Sequence, residues 1–459
     1  MHHDSGNTLR TTDDLRETDY PPLKQAWYVV GILTLTYTVS FIDRQIMALL
    51  IEPIRRDLQI TDTQVSLLIG LAFAVFYTLL GIPIARLADR YSRRWIIGIG
   101  ISVWCLATAA CGLARTYGQL FLARVGVGEG ALSPSALSMI SDYFPKHTRV
   151  RAIAVYNMGI SLGTGLALIV GGQIVQHVMQ APPVSLPVVG ELFAWQTVFI
   201  IVGLPGLLMA VLMMTIKEPR RLEQMHTAAG ASRQISARET LGFLGARWKM
   251  YASHFLGMST VAILAYGLSA WIPSMFIRTF QWKVSDIGLA YGCIVLAAGP
   301  LAAVGASWLS ERLTARGYSD APMRAALIFV MVGVVGAVGA GLSTTPTLAL
   351  VFLLPASIGT TAATACGLTA LVSATPNQMR AQASAVYYLV VNIFGLTVGP
   401  TGIALFTDHV FANPLALPSS IAAVSTLAGI FAFAFLTYNL AQYRAVVSGA
   451  GSWTAPQSA

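Results

Sequence analysis

Charge is what this chain has least of. Only 11% of its 459 residues are Asp, Glu, Lys or Arg, against roughly 25% in ordinary soluble domains, so its solvent is mainly lipid. Histidine and cysteine are also sparse. The four cysteines, Cys105, Cys111, Cys293 and Cys366, lie inside apolar stretches with no metal-ligand spacing and read as small core residues. The seven histidines are scattered and no His-Glu-x-x-His occurs, which argues against a membrane-embedded enzyme with a metal or catalytic cluster. A Gly-x-x-x-x-Gly-Lys-Ser/Thr loop is missing too, which argues against nucleotide-driven transport. No cofactor is implied. The first 25 residues are polar and carry five acids, unlike a cleavable signal peptide, and are expected to form a cytoplasmic tail.

What the chain does have is apolar length: 55% of it is hydrophobic. Windows of about 20 residues, enough to cross a bilayer, fall near 26–51, 63–85, 95–114, 118–140, 152–176 and 194–216. Six more fall near 249–276, 287–309, 324–343, 347–373, 382–407 and 418–440. The expectation is an all-α membrane protein of twelve spans in two six-helix bundles. These are residues 26–216 and 249–443, joined by a cytoplasmic linker at 217–248 and followed by a tail at 444–459. Part of the linker, about Ser236 to Gly245, is expected to be a short surface helix.

Basic residues concentrate on the cytoplasmic side of short loops. With both termini inside, 22 of the 29 Lys and Arg fall on that side, and only Arg55, Arg56, Arg115, Arg278 and Lys283 fall outside. The formal charge of +9 is therefore a topology signal. It gives no support to nucleic-acid binding, because the basic residues form no single groove.

Two internal echoes support the division into halves. Leu87-Ala88-Asp89-Arg90 follows the second span as Leu309-Ser310-Glu311-Arg312 follows the eighth, and Gly159-x-x-x-Gly163 in the fifth span matches Gly395-x-x-x-Gly399-Pro400 in the eleventh. Neither match is long. Their equivalent placement in the same order points to a duplicated unit, the way many transporters build a site at a repeat interface.

Two charges, Asp43 and Arg44, stand together in the first span, about eight residues or roughly 12 Å inside its end. Charges at such depth are costly and usually face a cavity or a partner; the competing reading is a self-compensating pair near a helix end. The fourth span adds Arg124 and Glu129, set in Arg124-Val125-Gly126-Val127-Gly128-Glu129-Gly130. Positions five apart on a helix point about 140° apart, so these two should address partners on other helices, as a brace or as a protonation switch. The second half offers no charge at depth. Its candidates are Tyr266, Tyr387, Tyr388 and Asn392, each of which could equally be helix packing, together with threonines at 360, 361 and 364. Smaller signals are Thr61-x-x-Gln64 as a capping box, Ser285-Asp286 as the cap of the eighth span, and His254 as a packing residue. Gly395 to Pro400 is expected to mark a bend.

The segment Ala85-Arg86-Leu87-Ala88-Asp89-Arg90-Tyr91-Ser92-Arg93-Arg94 resembles the signature loop of the major facilitator superfamily, departing from it at Ala85 and Ser92, where glycine is usual. The resemblance implies a cytoplasmic gate of Asp89, Arg90, Arg93 and Arg94, extended by Asp142 and Arg149 of the Asp142-Tyr143-Phe144-Pro145 to Arg149 loop. Within the superfamily, that loop, Asp43-Arg44 and Arg124 to Gly130 resemble the Spinster family of lipid transporters. That family implies alternating-access export of a lysolipid or sphingosine-1-phosphate-like lipid. Arg44 and Arg124 would then serve the head group or the charge network, Asp43 and Glu129 would be proton-sensitive partners, and the protein would be a monomer in the plasma (inner) membrane. Anion:cation symporters, which carry organic anions, share a similar Asp-Arg and are the nearest competitor. A channel is disfavoured by the repeat and the gate-like loop.

Overall fold

The computed structural model describes residues 20–74, 83–84, 87, 90–126, 132–187, 190–219 and 237–448. Among these, ten helical segments are long and apolar enough to cross a membrane. The first is Leu23–Leu49, the third Arg93–Cys111, the fifth Lys146–Gln180, and the sixth runs from Ala194 to Met214 with a break at Leu204 and Pro205. The remaining six are Trp248–Phe280, Val284–Ala315, Ala321–Leu342, Pro346–Ser373, Arg380–Leu405 and Leu417–Ser448. The second and fourth spans are described only in part, as Asp62–Ala74 and as Tyr117–Val125 with Leu132–Tyr143. The protein is an all-α membrane protein. Helices overrun several expected limits, most of all at the last span, which continues past 443 to Ser448.

Local chemistry explains several boundaries. Thr61 accepts from the Gln64 backbone N–H at 3.2 Å while Gln64 Oε1 accepts from the Thr61 N–H at 3.0 Å, the expected capping box. Ser285 does not cap the eighth span. The helix starts one residue earlier, at Val284, and Ser285 instead donates to the Asp286 carboxylate at 3.1 Å. The surface helix of the linker is present at Ala237–Ala246.

The glycine echo is a packing repeat. A Cβ on Gly163 would stand 2.6 Å from the Thr38 carbonyl oxygen, and one on Gly159 3.0 Å from that of Thr34, so the fifth span lies close on the first. In the second half a Cβ on Gly399 would stand 2.6 Å from the Ile263 carbonyl oxygen, and one on Gly395 2.7 Å from Ala262 Cβ, so the eleventh span lies on the seventh in the same way. Small residues let backbones approach where lipid supplies no hydrophobic drive for helix association.

Among the described residues, glycines draw the halves together at two seams. Glycines 172 and 288 bring the fifth and eighth spans together: a Cβ on Gly288 would fall 2.3 Å from the Leu168 carbonyl oxygen and 3.2 Å from the Gly172 Cα. The second and eleventh spans touch at Gly70, where a Cβ would fall 1.9 Å from the Leu396 carbonyl oxygen. Pro400 lies inside the eleventh-span helix. Having no N–H, it leaves Leu396 without its usual partner four residues on, and the second span comes against that freed carbonyl.

Candidate functional site

The first span carries its charges into the interior. Asp43 is 2% exposed and accepts a 2.5 Å hydrogen bond from Thr108 of the third span. The Arg44 guanidinium lies over two rings, Phe41 at 4.6 Å and Phe73 of the second span at 4.2 Å. Arg124 is 1% exposed, and its Nη2 reaches the Arg44 carbonyl at 3.4 Å, so it addresses the first span. Cys111, at the end of the third span, sits in the electrostatic field of both Arg124 and Asp43. Asp43 and Arg124 thus converge where the first, third and fourth spans meet, while the Arg44 guanidinium is turned to the Phe73 ring of the second span. Glu129 lies outside the described residues.

The other half contributes a neutral pair: the Tyr266 hydroxyl donates to Asn392 Oδ1 at 3.1 Å. Tyr388 is exposed. Tyr387 is placed differently, buried in the helix core against His254 and Phe255, with ring centroids at 5.6 and 5.7 Å. Phe73 forms one apolar cluster with Leu396 and Tyr266. It therefore touches the ionic wall of the first half and the aromatic wall of the second.

Arg93, Arg94 and Asp142 gather at one end of the first half, around a residue that sequence reasoning did not single out, Glu218. Arg93 is 2% exposed and donates to Asp142 at 2.5 Å, to Glu218 at 2.9 Å and to Ser138 at 2.9 Å. The Arg94 backbone and Ser92 hydroxyl complete the shell of Glu218, at 3.0 and 2.8 Å. Burial pushes the Glu218 carboxyl up, but the hydrogen bonds from Arg94, Arg93 and Ser92 and the charge of Arg93 hold it below the ordinary carboxylate range. This clamp ties the third, fourth and sixth spans within one half. Arg149 donates to the carbonyls of Ser141 at 2.9 Å and Phe144 at 3.3 Å, tying off the end of the fourth-span helix. Arg90 is exposed, and Asp89 lies outside the described residues.

At the opposite end the halves are joined directly. Arg278, in the last turn of the seventh span, donates to both carboxylate oxygens of Asp62 at 2.7 and 2.8 Å and to Glu52 at 2.7 Å. Arg55 adds a 3.1 Å contact to Asp62. Beside them Asp408 accepts from the Thr63 backbone and hydroxyl, each at 2.7 Å. Deeper in the membrane Gln45 and Ser269 bond reciprocally at 3.1 and 2.9 Å. These contacts lock the two halves together at this end. The only signal for them in the sequence was an arginine and an acid at opposite helix ends on the same side.

Residues 33–400 match the family described as Major Facilitator Superfamily. The chain belongs to the Major Facilitator Superfamily. It is similar to an MFS-type efflux pump of Mycolicibacterium smegmatis, 28% identical over 64% of this chain and 64% of that protein. It is also similar to Protein spinster of Drosophila melanogaster, 25% identical over 64% of this chain and 47% of that protein. The matches therefore span about half to two thirds of these relatives. Among solved structures, a bacterial homolog of the human lysosomal transporter Spinster, inward-facing and unoccupied, aligns over 95% of this chain and all of that chain, at TM-score 0.76 and 27% identity. The superfamily member described here is a multi-pass membrane protein whose relatives and structural neighbours are transporters.

Proposed function

We propose that this transporter moves an amphipathic, anionic, lysolipid-like substrate by alternating access, coupled to protons through Asp43 and Glu129. The observation that carries the reading is the group of buried Asp43 and Arg124 and half-buried Arg44 on one half, with the uncharged Tyr266–Asn392 pair on the other. A guanidinium presents a planar fork that suits a phosphate or carboxylate head group. An apolar and aromatic second wall suits a chain. Residues 26–216 and 249–443 are the rocking units, joined by 217–248, with both tails cytoplasmic and one chain sufficient in the inner membrane. The locked end is then the outer one, and the Arg93–Asp142–Glu218 clamp belongs to the cytoplasmic gate.

The test is a binding and efflux screen of lysolipids against organic anions on protein in liposomes, with and without a proton gradient and without ATP, repeated with Arg44→Ala. Lysolipid transport that needs the gradient and fails in Arg44→Ala is the expected result. A response to carboxylic acids alone would instead assign the organic-anion symporter reading, which the same Asp-Arg pair supports.

A further inference from the structure

We infer that Gln45 is a positioning residue for the seventh span: from the other half it supplies the donor that Pro273 cannot, and so holds that helix firm at its proline. Pro273 lies inside the Trp248–Phe280 helix. Having no N–H, it leaves the Ser269 carbonyl without its usual partner four residues on. Gln45 Nε2, on the first span, donates to that carbonyl at 3.1 Å. A carbonyl only accepts, so the amide nitrogen must face it, and Gln45 Oε1 is left to take the Ser269 hydroxyl at 2.9 Å. Both contacts cross between the halves, joining residues 224 positions apart in the chain.

The source of the donor gives the contact its consequence. A proline is tolerated in a spanning helix when neighbours satisfy the carbonyl it frees. A neighbour in the same half would do so in every arrangement of the halves, whereas Gln45 does so only while the first and seventh spans are together. The eleventh span repeats the pattern: Pro400 frees the Leu396 carbonyl, and Gly70 of the first half is set against it. Trp271 Nε1 donates to the Pro400 carbonyl at 2.9 Å and joins the two proline regions. Along the seventh span, Ser269 lies four residues before Pro273 and Arg278 five residues beyond it, toward the locked end. The proline therefore separates two anchors of one helix on the first half, the Gln45 bonds on its inner side and the Asp62 and Glu52 ion pairs on its outer side. Kinks localise at prolines, so loss of the inner anchor loosens the segment that carries Arg278, and the two anchors release together. The bond and the proline stand by themselves, while parting of the halves at this end rests on the alternating-access reading above.

The test uses full-length protein in nanodiscs, with Cys293, the exposed native cysteine, replaced by serine. Hydrogen exchange of the backbone amides between residues 267 and 277 reads the proline region. Spin labels at Arg56→Cys and Lys283→Cys, exposed positions of the two halves at the locked end, read opening. Gln45→Met, similar to glutamine in size but without a donor, should raise exchange roughly 2- to 10-fold, the range of one neutral hydrogen bond. Ser269→Ala keeps the bond to the carbonyl and should change exchange less. Pro273→Ala restores the helix N–H, so adding Gln45→Met to it should raise exchange no further. Combined with Arg278→Gln, Gln45→Met should lengthen the label distances beyond those of Arg278→Gln alone. Unchanged exchange in Gln45→Met, or the same increase with and without Pro273→Ala, overturns the inference. If exchange follows the expected pattern while the distances stay shut even in Gln45→Met with Arg278→Gln, the role of Gln45 holds and the alternating-access reading fails at this end.

Discussion

Arg278 and Asp62, 216 positions apart in the chain, share two hydrogen bonds of 2.7 and 2.8 Å across the interface between the halves, and the Asp62 side chain is fully buried. Removing one member of such a pair leaves an uncompensated buried charge, worth about 3–5 kcal/mol. Because the pair joins two bodies rather than two parts of one core, the loss should appear as opening. Arg278→Gln should separate the locked ends in interlabel distance measurements while circular dichroism keeps its helical signal. Arg278→Lys should give an intermediate result, since an ammonium lacks the fork that engages both Asp62 oxygens. Unchanged distances in Arg278→Gln would show that the Asp408 and Gln45 contacts suffice to hold this end shut.

Glu218 predicts a pH dependence whose sign is set by its depressed carboxyl. A carboxylate stabilised in the folded state contributes fully above its unfolded value of 4.5, and the contribution fades as pH falls through the lower folded value. Glu218→Gln should therefore melt below the parent at pH 7, with the gap narrowing on acidification below pH ~4.5. A gap that stays constant or widens on acidification would refute the assignment.

Ten of the twelve apolar windows coincide with membrane-length helices among the described residues, and they were legible because a bilayer demands length and hydrophobicity from each segment alone. The glycine echo was legible because close helix packing in lipid requires small residues at a fixed spacing, and Gly159, Gly163, Gly395 and Gly399 all make such approaches. The lock between the halves was not legible in the same way. Asp62 already has a local reason to exist, as an acid in the first turn of a capped helix, and Arg278 reads as a loop charge until the helix is seen to run to Phe280. Tyr387 and Tyr388 are adjacent and identical in type, yet one is 1% and the other 42% exposed. Helical rotation within a bundle, which neighbours set, decides that difference. Glu218 gave a faint signal, an acid within a basic loop, whose meaning depended on where the third and fourth spans end.

The charge cluster makes a functional prediction. Asp43→Asn keeps the shape of the side chain and a carbonyl acceptor for Thr108, whose bond now measures 2.5 Å, but it cannot take up a proton. Glu129→Gln does the same in the fourth span. Each variant should fold and melt near the parent, still bind substrate, and lose the response of transport to a proton gradient. Gradient-dependent transport at parental rates in both variants would remove these residues from coupling.

Gly70 allows the seam itself to be tested. An added methyl at this position would lie 1.9 Å from the Leu396 carbonyl oxygen, a backbone atom that no rotamer change can move. Gly399→Ala makes a similar collision, 2.6 Å from the Ile263 carbonyl oxygen, but between two helices of one half. Overpacking typically costs about 1–3 kcal/mol, and the two sites should spend it differently. Within a half, the helices have no alternative arrangement, so Gly399→Ala should lower the unfolding temperature. Between the halves, the proposed alternating access requires a second arrangement in which the second and eleventh spans part, so Gly70→Ala should lengthen distances across the locked end with a smaller thermal penalty. Transport by Gly70→Ala should slow at the step that recloses this end. Equal thermal losses in the two variants, with no change in distance for Gly70→Ala, would mean that the second and eleventh spans are packed as one body and that the Gly70 seam is not where the halves separate.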